Sequence, residues 1–210
     1  MESQTQGTQR MDNEAHEVMW RRMRYMLTPQ WDIYMSLRGK FRGKKVLEVG
    51  FGTGAGVLQY CYNARFVDAI DPDPGAVDFA QKTFPMNNVN WAIGDITNYK
   101  TTQKYDVVVM IETLEHIAEW RKSLENIFEM LVGGGFLVIS SRNKNADLRR
   151  WKDLHEREWT AQEFSHALNG YFQEVILYDY SLTNIQKENT RLTPLVAIAK
   201  RTQKILRWMP

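Results

Sequence analysis

The sequence predicts a doubly wound α/β fold: seven strands in one sheet, mostly parallel with an antiparallel strand at the C-terminal end, and helices ahead of it at the N-terminus. Three observations point there. From Lys45 onward, apolar runs of strand length alternate with stretches of helical length. The run Val107-Val108-Val109-Met110-Ile111 is apolar on both faces, as a parallel strand buried between two helical layers must be. The connection over residues 181–193 is polar and too short for a helical crossover, so the last two strands are expected as antiparallel neighbours.

Residues 1–10 read as a polar tail. Over residues 11–27 apolar side chains recur at Met11, Ala15, Val18, Met19, Met23 and Met26, close to helical spacing, which predicts an amphipathic leader helix. Thr28-Pro29 offers an N-cap and a proline at the first helical position, so a second short helix is expected to Leu37, before Gly39. Strands are expected over residues 46–49, 66–70, 89–93, 105–111 and 136–140, with helices between them. The clearest helix carries Trp120, Leu124, Ile127, Phe128 and Leu131 on one stripe and ends in the turn Gly133-Gly134-Gly135. Thr160-Ala161-Gln162-Glu163 is a capping box with Trp159 and Phe164 as its hydrophobic staple, predicting a helix to Asn169-Gly170. Strands over 174–180 and 195–200 complete the count.

At 210 residues, 43% hydrophobic and 25% charged, the composition is that of one ordinary globular domain. No apolar run approaches the roughly 20 residues of a membrane helix, and residues 1–10 contain no secretory apolar region, so neither membrane span nor signal is expected. Cys61 stands alone, which excludes an internal disulfide and fits a reducing, cytoplasmic setting. The net charge of +2 is unevenly spread. Both ends are basic and the middle is acidic, so the ends could meet a phosphate-bearing partner or serve as solvated faces.

The strongest local signal is the strand Val46-Leu47-Glu48-Val49 running into Gly50-Phe51-Gly52-Thr53-Gly54. Glycines at alternate positions allow a sharp turn and let a ligand approach bare backbone. The looser dinucleotide fingerprint, Gly50-x-Gly52-x-x-Ala55, is also satisfied, so the glycines alone leave the cofactor open. Asp71 ends the second strand, where a carboxylate can accept hydrogen bonds from two ribose hydroxyls. Asp73-Pro74 supplies the cap and first turn of the next helix, which leaves Asp71 the freer acid. Asp95 ends the third strand on the same sheet edge.

With those residues in view, the sequence resembles the class I S-adenosylmethionine-dependent methyltransferases over roughly residues 45–200. The resemblance rests on Glu48-x-Gly50-x-Gly52-x-Gly54, Asp71, Gly94-Asp95, Glu112-Thr113-Leu114-Glu115-His116-Ile117 and Leu131-x-Gly133-Gly134-Gly135. Within that family it is similar to the small-molecule branch that includes the ubiquinone-biosynthesis enzymes. The resemblance implies a Rossmann-like methyltransferase domain at 45–200, behind a polar tail and helical leader or lid at 1–44 and ahead of a basic tail at 201–210. It implies S-adenosylmethionine as cofactor, with Gly50, Gly52 and Gly54 under its methionine part, Asp71 and Pro72 at the ribose, and Asp95 and Ile96 at the adenine. Ile111 and Glu112 would complete the cofactor site after strand four, and Glu48 would brace the glycine loop. A small molecule methylated at oxygen or nitrogen is the implied acceptor, taken up by a monomer or homodimer.

Methyl transfer from a sulfonium is an in-line displacement without a covalent intermediate, so no triad is expected. A hydroxyl acceptor needs a base. His116, after strand four on the ligand edge, and His155, before the capping box, are the candidate catalytic residues. Family members often carry His-x-Arg-aromatic-Thr near His155, whereas Glu158 stands here as an extra residue. His16 and His166 read as surface or helix-packing residues. Trp20, Tyr25, Trp31 and Tyr34 suit either a lid or the covering of a sheet face. No His/Cys/Asp grouping has metal-ligand spacing. Two other functions compete: a nucleic-acid methyltransferase, disfavoured by the absence of Asn/Asp-Pro-Pro-aromatic after strand four, and a cofactor-binding scaffold without turnover.

Overall fold

Proline fixes its own φ near the helical value and lacks the N–H that a first helical turn would leave unbonded, which is why helix α1 (Pro29–Leu37) opens where it does. The structure, a computed structural model, describes residues 29–145, 156–178, 182 and 195–202. The leader helix expected over 11–27, His16, His155 and the basic tail beyond residue 202 lie outside the described residues.

The strands are β1 (Lys45–Val49), β2 (Phe66–Asp71), β3 (Val89–Ile93), β4 (Tyr105–Met110), β5 (Leu131–Ser141), β6 (Glu174–Tyr178) and β7 (Leu195–Lys200). They form one sheet in the order β3-β2-β1-β4-β5-β7-β6. β1 to β5 pair in parallel, and β7 runs antiparallel to both β5 and β6. The predicted class and the antiparallel C-terminal strand are therefore both present, with β7 inserted between β5 and β6. Strand order reverses between β1 and β4, and the carboxyl ends of those two strands bound a crevice where open α/β sheets bind ligands.

Alternation along each strand divides the core into two layers. Leu47, Val49, Val108, Met110, Leu137 and Ile139 face helices α3 (Trp120–Met130) and α4 (Ala161–Asn169). Val46, Val67, Val107, Val109 and Val138 face α1 and α2 (Pro74–Thr83). Ile33, Tyr34 and Leu37 of α1 are buried on the second layer, so this part of the N-terminal segment covers a sheet face. Each such aliphatic side chain contributes about 1.5–3 kcal/mol by leaving water. The cap of α4 forms as the sequence predicts: Glu163 N–H donates to Thr160 Oγ1 at 3.1 Å and Thr160 N–H to Glu163 Oε2 at 2.8 Å. The staple rings of Trp159 and Phe164 lie 6.1 Å apart.

Three expectations fail. No α-helix follows the glycines after β1; the chain there makes turns and one three-residue 3₁₀ helix, Val57–Gln59. Tight bonds such as Tyr60 N–H to the Val57 carbonyl (3.2 Å) turn Tyr60 and Cys61 inward, where both are fully buried. The β3–β4 connection also lacks a helix, because Asp95 uses its carboxylate to close a turn. The run Gly133-Gly134-Gly135 is not a turn but the opening of β5, with a register shift against β4 between Tyr105 and Val107. It is held from the other side by Arg201, whose N–H bonds the Gly135 carbonyl at 2.8 Å. The sixth strand is present from Glu174 to Tyr178, and residues 179 and 180 lie outside the described residues.

Candidate active site

The crevice is built from the ends of β1, β2, β3 and β4. Gly50, Gly52 and Gly54 all adopt positive φ, at 72°, 56° and 78°. Two of them show why. A Cβ on Gly50 would overlap the Thr113 side chain, so the β1 and β4 ends close together only without one. A Cβ on Gly52 would meet nothing within 4 Å, so this residue offers bare backbone to open space. Asp71, almost fully buried, ties the loop down: Oδ2 accepts the Gly52 N–H at 2.8 Å and Oδ1 the Asp73 N–H at 3.0 Å. Asp73 caps α2 by accepting the Gly75 N–H at 2.8 Å, as the sequence predicts, but Asp71, expected as the freer acid, has both oxygens engaged by backbone N–H groups.

A cavity of about 320 Å³ opens beside this loop, lined among others by Gly50, Pro72, Asp95, Ile96, Thr113 and His116. Asp95 is exposed, and its Oδ1 accepts from the N–H and the hydroxyl of Thr97, both at 2.8 Å. Ile96 is buried beside it. His116 ends a short 3₁₀ turn, Leu114–His116, and is exposed on the cavity rim. Exposed His166 sits on α4, away from these elements.

Of the predicted cofactor residues, Gly50, Pro72, Asp95 and Ile96 line this cavity, and Gly52, Gly54 and Asp71 stand beside it without lining it. Ile111 is buried in the layer facing α1, and neither it nor Glu112 lines the cavity. Glu112 holds a left-handed φ of 50°, a costly conformation for a side chain of this size. It is pinned to β5: its N–H donates to Ser140 Oγ at 3.0 Å, and Ser140 donates to Glu112 Oε1 at 2.9 Å. Next to it Glu115 is buried, accepting from Ser141 Oγ at 2.8 Å. Burial pushes both carboxyls above the usual range, and for Glu112 the neighbouring Glu115 charge adds to the rise.

Glu48 is also not at the cavity. It is completely buried, Oε1 accepting from Tyr34 Oη at 2.5 Å and Oε2 from Tyr60 Oη at 2.6 Å. Burial raises its pKa to about 8 against the lowering effect of the two phenols. Sequence reasoning misses both tyrosine partners and the serine partners of β5. They lie 14, 12, 28 and 26 residues from their carboxylates, separations with no local periodicity. Among the described residues, no group of His, Cys, Asp and Glu is placed to hold a metal ion, and no helix is long and apolar enough to cross a membrane.

Comparisons of sequence and of structure find relatives. Residues 19–180 match the family described as methyltransferase domain. Nodulation protein S of Rhizobium tropici is 31% identical over 111 residues, covering 50% of this chain and 45% of that protein. The ubiquinone biosynthesis O-methyltransferase of Coxiella burnetii is 26% identical over 124 residues, covering 58% and 53%. The chain thus spans about half the length of the curated relatives it matches. The crystal structure of the N-methyltransferase NodS of Bradyrhizobium japonicum WM9, in complex with S-adenosyl-L-homocysteine, shares the fold with a TM-score of 0.61. Its identity is 23%, and the match covers 82% of this chain and 85% of that one.

Proposed function

The chain belongs to the methyltransferase-domain family, and on that premise we propose that it transfers a methyl group from S-adenosylmethionine to an oxygen or nitrogen of a small-molecule acceptor. The observation that carries this reading is the pairing of Gly52 and Asp71 at the crevice: bare backbone facing open space, held by a carboxylate at the neighbouring strand end. Each Asp71 oxygen accepts one backbone N–H and retains a lone pair for a further donor, which suits two ribose hydroxyls. Gly50, Gly52 and Gly54 would underlie the methionine part, Asp71 and Pro72 the ribose, and Asp95 and Ile96 the adenine. Ile111 and Glu112 would support the site from behind Thr113, and Glu48 from beneath the loop.

When bound, the cofactor supplies a methyl group on a positively charged sulfur. The chain's own task is to orient the acceptor's lone pair in line with that group and to exclude water. His116 would take a proton from a hydroxyl or ammonium acceptor, a reading supported by its position on the cavity rim, and His155 is the second candidate. Relatives of both kinds, an N-methyltransferase and an O-methyltransferase, support leaving both acceptor atoms in the proposal.

Isothermal titration with S-adenosylmethionine and S-adenosylhomocysteine tests the cofactor reading. Saturable binding of both is expected, and absence of heat at millimolar ligand overturns it. Methyl incorporation across a panel of phenols and amines then tests the acceptor class. His116→Gln is expected to lower turnover at least tenfold without changing S-adenosylhomocysteine affinity; unchanged turnover removes His116 from the reaction.

A further inference from the structure

Resting on the cofactor reading above, we propose that Tyr34 is a positioning residue for the cofactor: through Glu48 it couples the seating of α1 on the sheet to the shape of the glycine loop. Glu48 stands two residues before Gly50. Its two oxygens are bonded to hydroxyls from opposite sides of the loop in sequence, Tyr34 from α1 and Tyr60 from the chain leaving the 3₁₀ turn. All three side chains are buried, with Tyr34 at 2% exposure and Glu48 and Tyr60 at 0%. The entry and the exit of the loop are thus held by one carboxylate, and α1 is held by the same group.

The packing repeats the hydrogen bonding. The rings of Tyr34 and Tyr60 are stacked, 6.3 Å apart and inclined by only 6°. Phe41, following α1, meets Tyr60 edge-on at 5.1 Å. The Tyr34 ring lies so close to Gly56 that a Cβ there would overlap it, so α1 packs directly on the loop's far end only because residue 56 carries no side chain. From the opposite edge, Asp71 holds Gly52. Residues 50–56 therefore run between two anchors, one of which belongs to α1. Lifting α1 would take one of the two phenols from a buried carboxylate and remove the ring that packs on Gly56, at a cost that any ligand requiring the loop's native shape would share. Linkage is reciprocal: a ligand that holds the loop also holds α1 down.

The test is calorimetric binding of S-adenosylhomocysteine to the full chain and to Tyr34→Phe, Glu48→Gln and the double variant, with hydrogen exchange of the α1 amides measured with and without ligand. Phe164→Leu, in α4 on the other sheet face, serves as a control that lowers stability without touching the loop. The coupling predicts about tenfold weaker binding for Tyr34→Phe, a double variant no weaker than the worse single one, and ligand-induced protection of α1 that Tyr34→Phe abolishes. Phe164→Leu is expected to keep the parent affinity at temperatures where it is folded. Binding by Tyr34→Phe within twofold of the parent overturns the proposal, as does α1 protection that persists in that variant; should Glu48→Gln fail to fold, Tyr34→Phe alone decides. A parent chain that binds no S-adenosylhomocysteine overturns the cofactor reading itself, and the coupling with it.

Discussion

Two neighbouring edges of the sheet treat their carboxylates in opposite ways. At the ends of β1 and β2, Asp71 accepts backbone N–H groups from residues 52 and 73, donors fixed by the turns themselves. At the ends of β4 and β5, Glu112 and Glu115 accept side-chain hydroxyls of Ser140 and Ser141, and burial drives both toward the protonated form. The first edge is a loop tied down by a carboxylate beside a cavity. The second is a buried polar layer that joins two strands and spends backbone strain at Glu112 to do so. Acids close to the same crevice thus differ in the source of their hydrogen bonds, backbone at Asp71 and side-chain hydroxyls at Glu112 and Glu115.

The sharpest break of this contrast is Asp71→Ala. Loss of a carboxylate bonded to the loop and offered to the ribose is expected to weaken S-adenosylhomocysteine binding by roughly 100-fold, since hydrogen bonds to charged groups contribute about 1.5–3 kcal/mol each. Titration calorimetry measures it, and unchanged affinity removes Asp71 from the cofactor site. The second edge is to be broken by pH. Because the folded pKa values of Glu112 and Glu115 are raised above the ordinary 4.5, their contribution is full below that pH and is lost as pH rises through the folded values. Each tenfold gain in a carboxylate's proton affinity on folding contributes about 1.4 kcal/mol. Thermal melts from about pH 5 to about pH 8 should show stability falling in the parent and a flatter profile in Glu112→Gln; parallel profiles contradict the burial argument.

Smaller effects sharpen the same distinction. Gly52→Ala places a Cβ in open space at positive φ, so it should cost only about 1 kcal/mol of stability while lowering S-adenosylhomocysteine affinity roughly tenfold. Equal binding by the variant would show that the open space beside Gly52 is not where the ligand lies. Thr160→Ala, which removes the cap of α4, should cost about 1 kcal/mol in chemical denaturation and leave ligand affinity alone; a change in affinity would make the α4 layer part of the site.

Much of this is legible in the sequence because it is local. The Thr160–Glu163 capping box, the Asp73-Pro74 helix start and the glycine spacing after β1 each involve residues a few positions apart, whose geometry follows from backbone sterics and short-range hydrogen bonds. Less legible are the two crossovers without α-helix, where the chain between β1 and β2 is shaped by burying Tyr60 and Cys61, and the glycine run that opens β5 instead of turning.

The basic C-terminal end reads in sequence as a meeting place for a partner, yet its first residue is already committed. Arg201 Nη1 donates to the carbonyls of Phe128, Glu129 and Leu131, closing the C-terminal end of α3, where a cation meets the negative end of the helix dipole. Charge counted along a chain does not distinguish a solvated cation from a helix cap 70 residues away.

By itself, then, the sequence determined the strand pattern, the antiparallel end of the sheet, the glycine loop and the acids at three strand ends, because periodicity and turn chemistry act over a few residues. Only the tertiary structure decided that Glu48 serves two tyrosines, that Glu112 turns to Ser140 and that α1 is bound to the glycine loop. Those contacts join residues 12 to 28 positions apart, and a buried carboxylate takes whichever hydroxyls the packed layers bring to it, since leaving it unpaired in a dry interior costs more than any local preference.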